Sequence, residues 1–340
     1  MYKGAVPLLV IIFLHVVSMY SVVLSDVRTS CLKLVLEEQS LVSNRSNKTF
    51  NISEMPMVLY FEYPQDIGGQ KLLKIEVYWN ATPANYSVVQ SRDGDKSLRV
   101  RPLSLFIRPG DTLNITVRYM LMLNSTERRI WQPRFNASRG LGETSLWNYS
   151  NPLVHQAYGL MDRHASSDLD YLQEVLYWLD SKIAYSSRVP ARYPWEVLEE
   201  RAGDCDDRSN LLVSLLRARG VPAYTEFGFI VIPGYVSEGS AADGHFTYRI
   251  LNGGPHGWVR TYINSKWIVV DTTFYRNATG SAMDHVTYSA YNMEGLPVVV
   301  TGWVLNTDYI GRDTRTLQEI ISTEIYINET MRASIIDGCS

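Results

Sequence analysis

The residue best suited to covalent chemistry is an internal cysteine, Cys205, set in Gly203-Asp204-Cys205-Asp206-Asp207. Behind it Leu211, Leu212, Leu215, Leu216 and Ala218 form one apolar face, Arg217 and Arg219 close the segment, and Gly220 with Pro222 ends it. An acidic start, a basic end and a glycine stop predict a helix with Cys205 at its N-terminus. Unpaired N–H groups and the positive end of the helix dipole there favour a thiolate, the form that attacks a carbonyl carbon. The dipole contributes about 0.3 to 1 kcal/mol, less than the ~1.4 kcal/mol of one pKa unit, and Asp204, Asp206 and Asp207 oppose it. Activation therefore requires a cationic histidine partner.

Strand arithmetic locates that partner. His256 to Ile263 and Lys266 to Thr273 alternate as two strands around Asn264-Ser265. A two-residue turn pairs Ile263 with Lys266, hence Trp258 with Asp271 and His256 with Thr273. His256 and Asp271 then share a face as diagonal neighbours, about 7 to 8 Å apart at the backbone. In that position Asp271 holds the imidazole in its tautomer and orientation. Trp258 and Trp267 fall on the same face, as walls of a substrate cleft or as core. His245 is the rival base, and Gly253-Gly254-Pro255 reads as a loop ahead of the histidine strand. Asp206 and Asp207 read as satisfying the helix start; no further ligand cluster accompanies them, so neither a metal nor a cofactor is expected.

These segments resemble the transglutaminase-like branch of the papain-like cysteine superfamily. The likeness is carried by Gly203-Asp204-Cys205-Asp206-Asp207 with its leucine-rich helix and Arg217-Ala218-Arg219-Gly220-Val221-Pro222, then His256-Gly257-Trp258-Val259, then Trp267 to Thr273. It implies Cys205 as nucleophile, His256 as general base and acid, and Asp271 as the orienting group. It implies a thioester acyl-enzyme acting on amide or peptide bonds, in a protease or amidase or in amine transfer to protein glutamine. Asp206 departs from the pattern, since many members carry an aromatic residue directly after the cysteine. Some members have lost their catalytic residues, so the second reading is a catalytically silent surface module for binding or cell-envelope structure.

The elements that must position these residues are of two kinds. Leu169, Leu172, Val175, Leu176, Leu179 and Ile183 recur at helical spacing, with Ser166 or Ser167 as N-cap. Ahead of them, Met57–Tyr63, Leu72–Trp79, Leu98–Ile107 and Leu113–Met122 carry the β-branched and aromatic residues of strands. The expectation is an α+β chain: an Ig-like β-sandwich over 26–150, then a papain-like, transglutaminase-like catalytic domain with a C-terminal extension over 151–340. Members of the family often carry an Ig-like domain in that place.

Residues 1–25 read as a signal peptide or an N-terminal anchor, with Lys3 ahead of the apolar stretch Ala5–Leu24. Export agrees with eleven Asn-x-Ser/Thr sequons, at Asn44, Asn47, Asn51, Asn80, Asn85, Asn114, Asn124, Asn136, Asn148, Asn277 and Asn328, where chance gives roughly two or three. None lies between Asn151 and Lys266, so the middle of the chain is expected to stay bare. Cys31 and Cys339 flank the exported part and are expected either to form a disulfide, leaving Cys205 free, or to stay unpaired. The 32 basic and 35 acidic residues nearly cancel without a basic run, which argues against nucleic acid. The expected partners are a protein or peptide substrate and a membrane tether through the N-terminal segment.

Overall fold

The computed structural model describes residues 31–273 and 297–338. The N-terminal strands are β1 (Cys31–Asn44), β2 (Phe50–Asn51), β3 (Tyr60–Glu62), β4 (Gln70–Trp79), β5 (Thr82–Pro83), β6 (Tyr86–Gln90), β7 (Lys96–Val100), β8 (Phe106–Ile107) and β9 (Thr112–Asn124). A helical region follows, with α1 (Ser125–Ile130), α2 (Pro152–Asp162), α3 (Asp168–Lys182), α4 (Pro194–Glu200) and α5 (Cys205–Ala218). Then come β10 (Ala223–Ala241), β11 (Phe246–Ile263), β12 (Lys266–Val270), β13 (Val298–Val304), α6 (Tyr309–Thr323) and β14 (Ile325–Gly338).

One sheet runs through the molecule in the order β13-β10-β11-β14-β1-β9-β4-β5, with β12 paired to β11. β14 is the junction: it lies antiparallel to β1 and parallel to the first part of β11. The C-terminal segment expected to extend the catalytic domain thus supplies an internal strand beside the N-terminal ones. β1 alternates buried and half-buried residues with period two, as a strand with one face on a core must. Its Leu34 and Leu36 pack with Val117 and Tyr119 of β9, and Phe61 and Leu98 of the smaller β3-β7-β6 sheet join the same core. A second core lies between the helices and strands β11 and β12, where Val154, Leu172, Val175, Leu211 and Leu215 meet Val259 and Val270.

Polar side chains bind the N-terminal segment to β13. The Gln70 amide acts as an extra peptide group, donating to the Val300 carbonyl and accepting from the Val300 N–H, both at 2.8 Å. The buried Asp93 carboxylate accepts from the N–H groups of Leu305, Asn306 and Thr307 at 3.0 to 3.1 Å. These are charge-assisted contacts to backbone donors that a loop would otherwise leave to water.

Register also sets two carboxylates side by side, and Glu62 of β3 acts on both. Ser40 faces Glu329 and Glu38 faces Met331, so Glu38 and Glu329 are diagonal neighbours on one face. Burial, then Glu62 and Glu329, pushes Glu38 well up; burial, then Glu62, raises Glu329 to about 7. The folded state therefore holds the Glu329 proton more tightly than the unfolded chain does, and stability falls as pH rises from about 4.5 to about 7. Glu329→Gln is expected to stabilise the protein by about 1 to 2 kcal/mol at pH 8 and to be neutral near pH 4.5. Urea unfolding at the two pH values checks this, and an effect of equal size at both would refute it.

Candidate active site

Cys205 is the first residue of α5, and Asp204 is the N-cap. Asp207 completes the capping box by accepting from the Asp204 N–H at 3.2 Å. The fully buried Asp207 also accepts from the Arg192 N–H and guanidinium at 2.6 and 2.7 Å. Burial, then Asp206, pushes Asp207 up to about 6 against the pull of Arg192. Gly203 is required by this closeness, because a Cβ there would stand 2.8 Å from the Asp207 Cβ.

β11 meets the first turn of α5 at Gly257. A Cβ at Gly257 would lie 3.1 Å from the Asp206 Cβ and 3.2 Å from the Phe227 ring, so glycine lets the strand approach. Ser209 donates its hydroxyl to the Gly257 carbonyl at 3.2 Å, and the Gly257 N–H favours the charged form of the half-buried Cys205 sulfur. His256 is the preceding residue on that strand. Its Nε2 is 2.7 Å from Asp271 Oδ2, which leaves Nδ1 on the opposite side of the ring. Thr273 donates its N–H and its hydroxyl to Asp271 Oδ1, both at 2.8 Å, fixing the fully buried carboxylate. Burial alone would raise Asp271, but His256 and the Thr273 donors hold it below the usual carboxylate range.

The thiol is pushed well up, first by burial and then by Asp206 and Asp204, with the Gly257 N–H opposing. Asp206 Oδ1 is 4.0 Å from the sulfur. Burial, then Asp206, raises Asp204 to about 9. One ligand atom from each of Asp204, Cys205 and Asp206 lies within 4.8 Å of the others, a closer acidic grouping than a helix start needs.

The turn arithmetic holds, since Ile263 pairs with Lys266 and Val259 with Val270. Gly253-Gly254-Pro255, expected as a loop, is instead inside β11, opposite Val231, Ile230 and Phe229. The two tryptophans are core residues rather than cleft walls. Trp258 is 1% exposed, donates Nε1 to Glu226 at 2.7 Å and lies with its ring 6.0 Å from the His256 ring, backing the imidazole from inside. The Trp267 ring, also buried, packs against Phe135 and Tyr224. His245 is occupied elsewhere, with Nδ1 3.1 Å from the Ile325 carbonyl and its ring stacked on Tyr326.

Three residues near the thiol were missed by sequence reasoning. Tyr309 of α6 donates to Asp206 Oδ2 at 3.1 Å and accepts from Asn210 at 2.7 Å. Tyr185 is 46% exposed overall, and its phenol is raised first by desolvation and then by its nearness to Cys205, Asp204 and Asp206. No local pattern signals Tyr309, which follows Cys205 only after the described strands β10 to β13.

Cys31 is disulfide-bonded and Cys205 is a free thiol. Cys339, Asn277 and residues 1–25 lie outside the described residues. Among the described residues no helix is long and apolar enough to cross a membrane. Of the sequon asparagines, Asn47, Asn80, Asn85, Asn136 and Asn328 are exposed, and Asn51, Asn114, Asn124 and Asn148 are partly so. Asn44 is a correction: it is 1% exposed and its Nδ2 donates to the Lys48 and Ile107 carbonyls at 2.8 Å, leaving no room for a glycan in this fold.

Residues 158–272 match the family model of the transglutaminase-like superfamily, so this segment is a transglutaminase-like domain. A solved structure described as a candidate cysteine protease from Cytophaga hutchinsonii superposes with a TM-score of 0.54 at 13% identity, covering 91% of this chain and 92% of that one. That likeness extends the shared fold beyond the matched domain. Red sea bream transglutaminase aligns at 11% identity with a TM-score of 0.27, over 70% of this chain and 46% of its own. No curated protein matches the chain.

Proposed function

We propose that this protein is an exported thiol acyl-transfer enzyme acting on amide or peptide bonds of a protein or peptide substrate. The observation that carries the reading is the 2.7 Å His256–Asp271 contact, on a strand whose next N–H favours the charged form of the Cys205 sulfur. In the proposed reaction the Cys205 sulfur attacks the carbonyl carbon as its proton passes to His256. The tetrahedral intermediate collapses, the C–N bond breaks, and the leaving amine takes that proton from His256. Water or an amine then gives a proton to His256, attacks the thioester and releases the thiol. The Cys205 N–H at the helix start is one donor for the oxyanion. Hydrolysis needs no second binding site, whereas amine transfer does. Export rests on the N-terminal apolar segment and the sequons, and a membrane tether through that segment is part of the proposal.

The elevated thiol favours a second reading, a catalytically silent transglutaminase-like surface module. Iodoacetamide alkylation of Cys205 between pH 5 and 9 separates the two. The enzyme reading expects the wild type to react at least about 100-fold faster than His256→Ala at pH 7. Equal rates would leave the binding module as the function.

A further inference from the structure

We propose that the surface groove between the β4-β5 turn and Phe106 seats a glycan carried by Asn80, with the first sugar stacked on the Phe106 ring. The inference rests on the reading of the chain as exported, and it gives one sequon a binding site within the same protein.

Asn80-Ala81-Thr82 is a sequon built into a turn. Trp79 pairs with Thr82, so Asn80 and Ala81 are the two central residues of a hairpin, with φ of 48° and 65°. Both lie in the left-handed region that such a two-residue turn demands and that asparagine tolerates. The turn is tied twice to β9: Asn80 donates its N–H to the Asn114 carbonyl, and Asn114 donates its N–H to Asn80 Oδ1, each at 2.8 Å. The second bond holds the planar carboxamide by its oxygen and so fixes the direction of Nδ2, the atom to which a glycan is joined. Asn44, by contrast, spends its Nδ2 on two carbonyls. Asn80 is exposed, and thus combines access with a set orientation.

The second observation is the groove itself, which has a volume of about 350 Å³ and includes Asn80 in its lining. Phe106 gives it an aromatic face, and the exposed Asp111 and Thr112 give it polar groups. Phe106 is 59% exposed although its backbone is pinned, paired with Asn51 across β2 and β8 and donating its N–H to the Ser104 hydroxyl at 3.2 Å. A large apolar ring held out in solvent marks a contact surface. A sugar ring is amphipathic in the matching sense: its C–H face covers an aromatic ring while its hydroxyls exchange hydrogen bonds with polar neighbours. β5 stands at the end of the sheet order, so a glycan seated beside it also shields that edge from pairing with another chain.

The test is the release of glycans by peptide N-glycosidase F from the native full chain, secreted from yeast under its own N-terminal segment and followed site by site with glycopeptide mass spectrometry. Asn136 and Asn328, both exposed, are the internal controls. Phe106→Ala is expected to speed release at Asn80 roughly 5-fold and to leave the controls unchanged, because a glycan lying on the ring must leave it before it can be cleaved. Phe106→Tyr keeps the ring and should release at the wild-type rate. Equal rates at Asn80 in wild type and Phe106→Ala overturn the proposal. So does faster release at Asn51 but not at Asn80, which would assign the ring to the glycan of the opposing strand. If Phe106→Ala speeds the controls as well, the fold has loosened, and an unchanged Asn80 rate in Phe106→Leu overturns the proposal instead. Failure of the export reading shows separately: it leaves every sequon bare, whereas glycans at Asn136 and Asn328 with Asn80 bare overturn this proposal alone.

Discussion

Asp271→Ala is expected to lower acylation of Cys205 by an amide or activated ester about 10²- to 10⁴-fold while the protein stays folded. The carboxylate is fully buried, accepts two hydrogen bonds from Thr273 and spends its other oxygen on His256 Nε2. Alanine removes the charge that stabilises the imidazolium and also the contact that fixes the ring. Asp271→Asn separates the two contributions, because an amide oxygen still accepts from Nε2–H but carries no charge. It should fall between alanine and wild type. The measurement is the pre-steady-state burst of p-nitrophenol from p-nitrophenyl acetate at pH 7. Equal activity in all three proteins would show that His256 works without an orienting partner.

The second large effect is on stability. Glu226 and Arg260 are 0% and 1% exposed, joined at 2.8 Å, with Trp258 Nε1 donating to the same Glu226 oxygen at 2.7 Å. Glu226→Leu leaves the Arg260 charge buried without its carboxylate and leaves the indole N–H without its acceptor. The expected cost is about 3 to 5 kcal/mol, a fall in Tm on the order of 10 °C. Because Trp258 backs His256, alkylation of Cys205 should lose its histidine dependence before the protein unfolds. The double variant Glu226→Leu/Arg260→Met should regain most of the stability, since it removes both charges. A double variant no more stable than Glu226→Leu would mean that packing, and not the stranded charge, sets the cost.

The parts of the site built by local chemistry were legible in the sequence. The ends of α5 are signalled within its own residues, and Asn264-Ser265 sets the β11-β12 register, so Cys205, His256 and Asp271 could be placed from spacing. α3 follows its leucine pattern, with Ser167 as the N-cap that accepts from Asp170. Periodicity gives the face of a strand but not what covers it, so alternation could not decide between cleft and core for Trp258 and Trp267. Glycines in a row read as loop, yet Gly253 is where β11 passes over β10: a Cβ there would meet the Ile230 carbonyl at 2.2 Å. The position of Asp206 depends on Tyr309, 103 residues away, and no local signal encodes that contact. β14 was missed similarly, because its partners are β1 and β11, each distant along the chain.

The placement of β14 also constrains how the protein can be made. During synthesis β1 leaves the ribosome first and can zip to β9 early, but its other edge waits for Ile325–Gly338. The early part of β11 waits for the same segment. Vectorial synthesis therefore leaves two unpaired strand edges open until translation has nearly reached Gly338, a long interval in which aggregation or capture by a chaperone competes with closure.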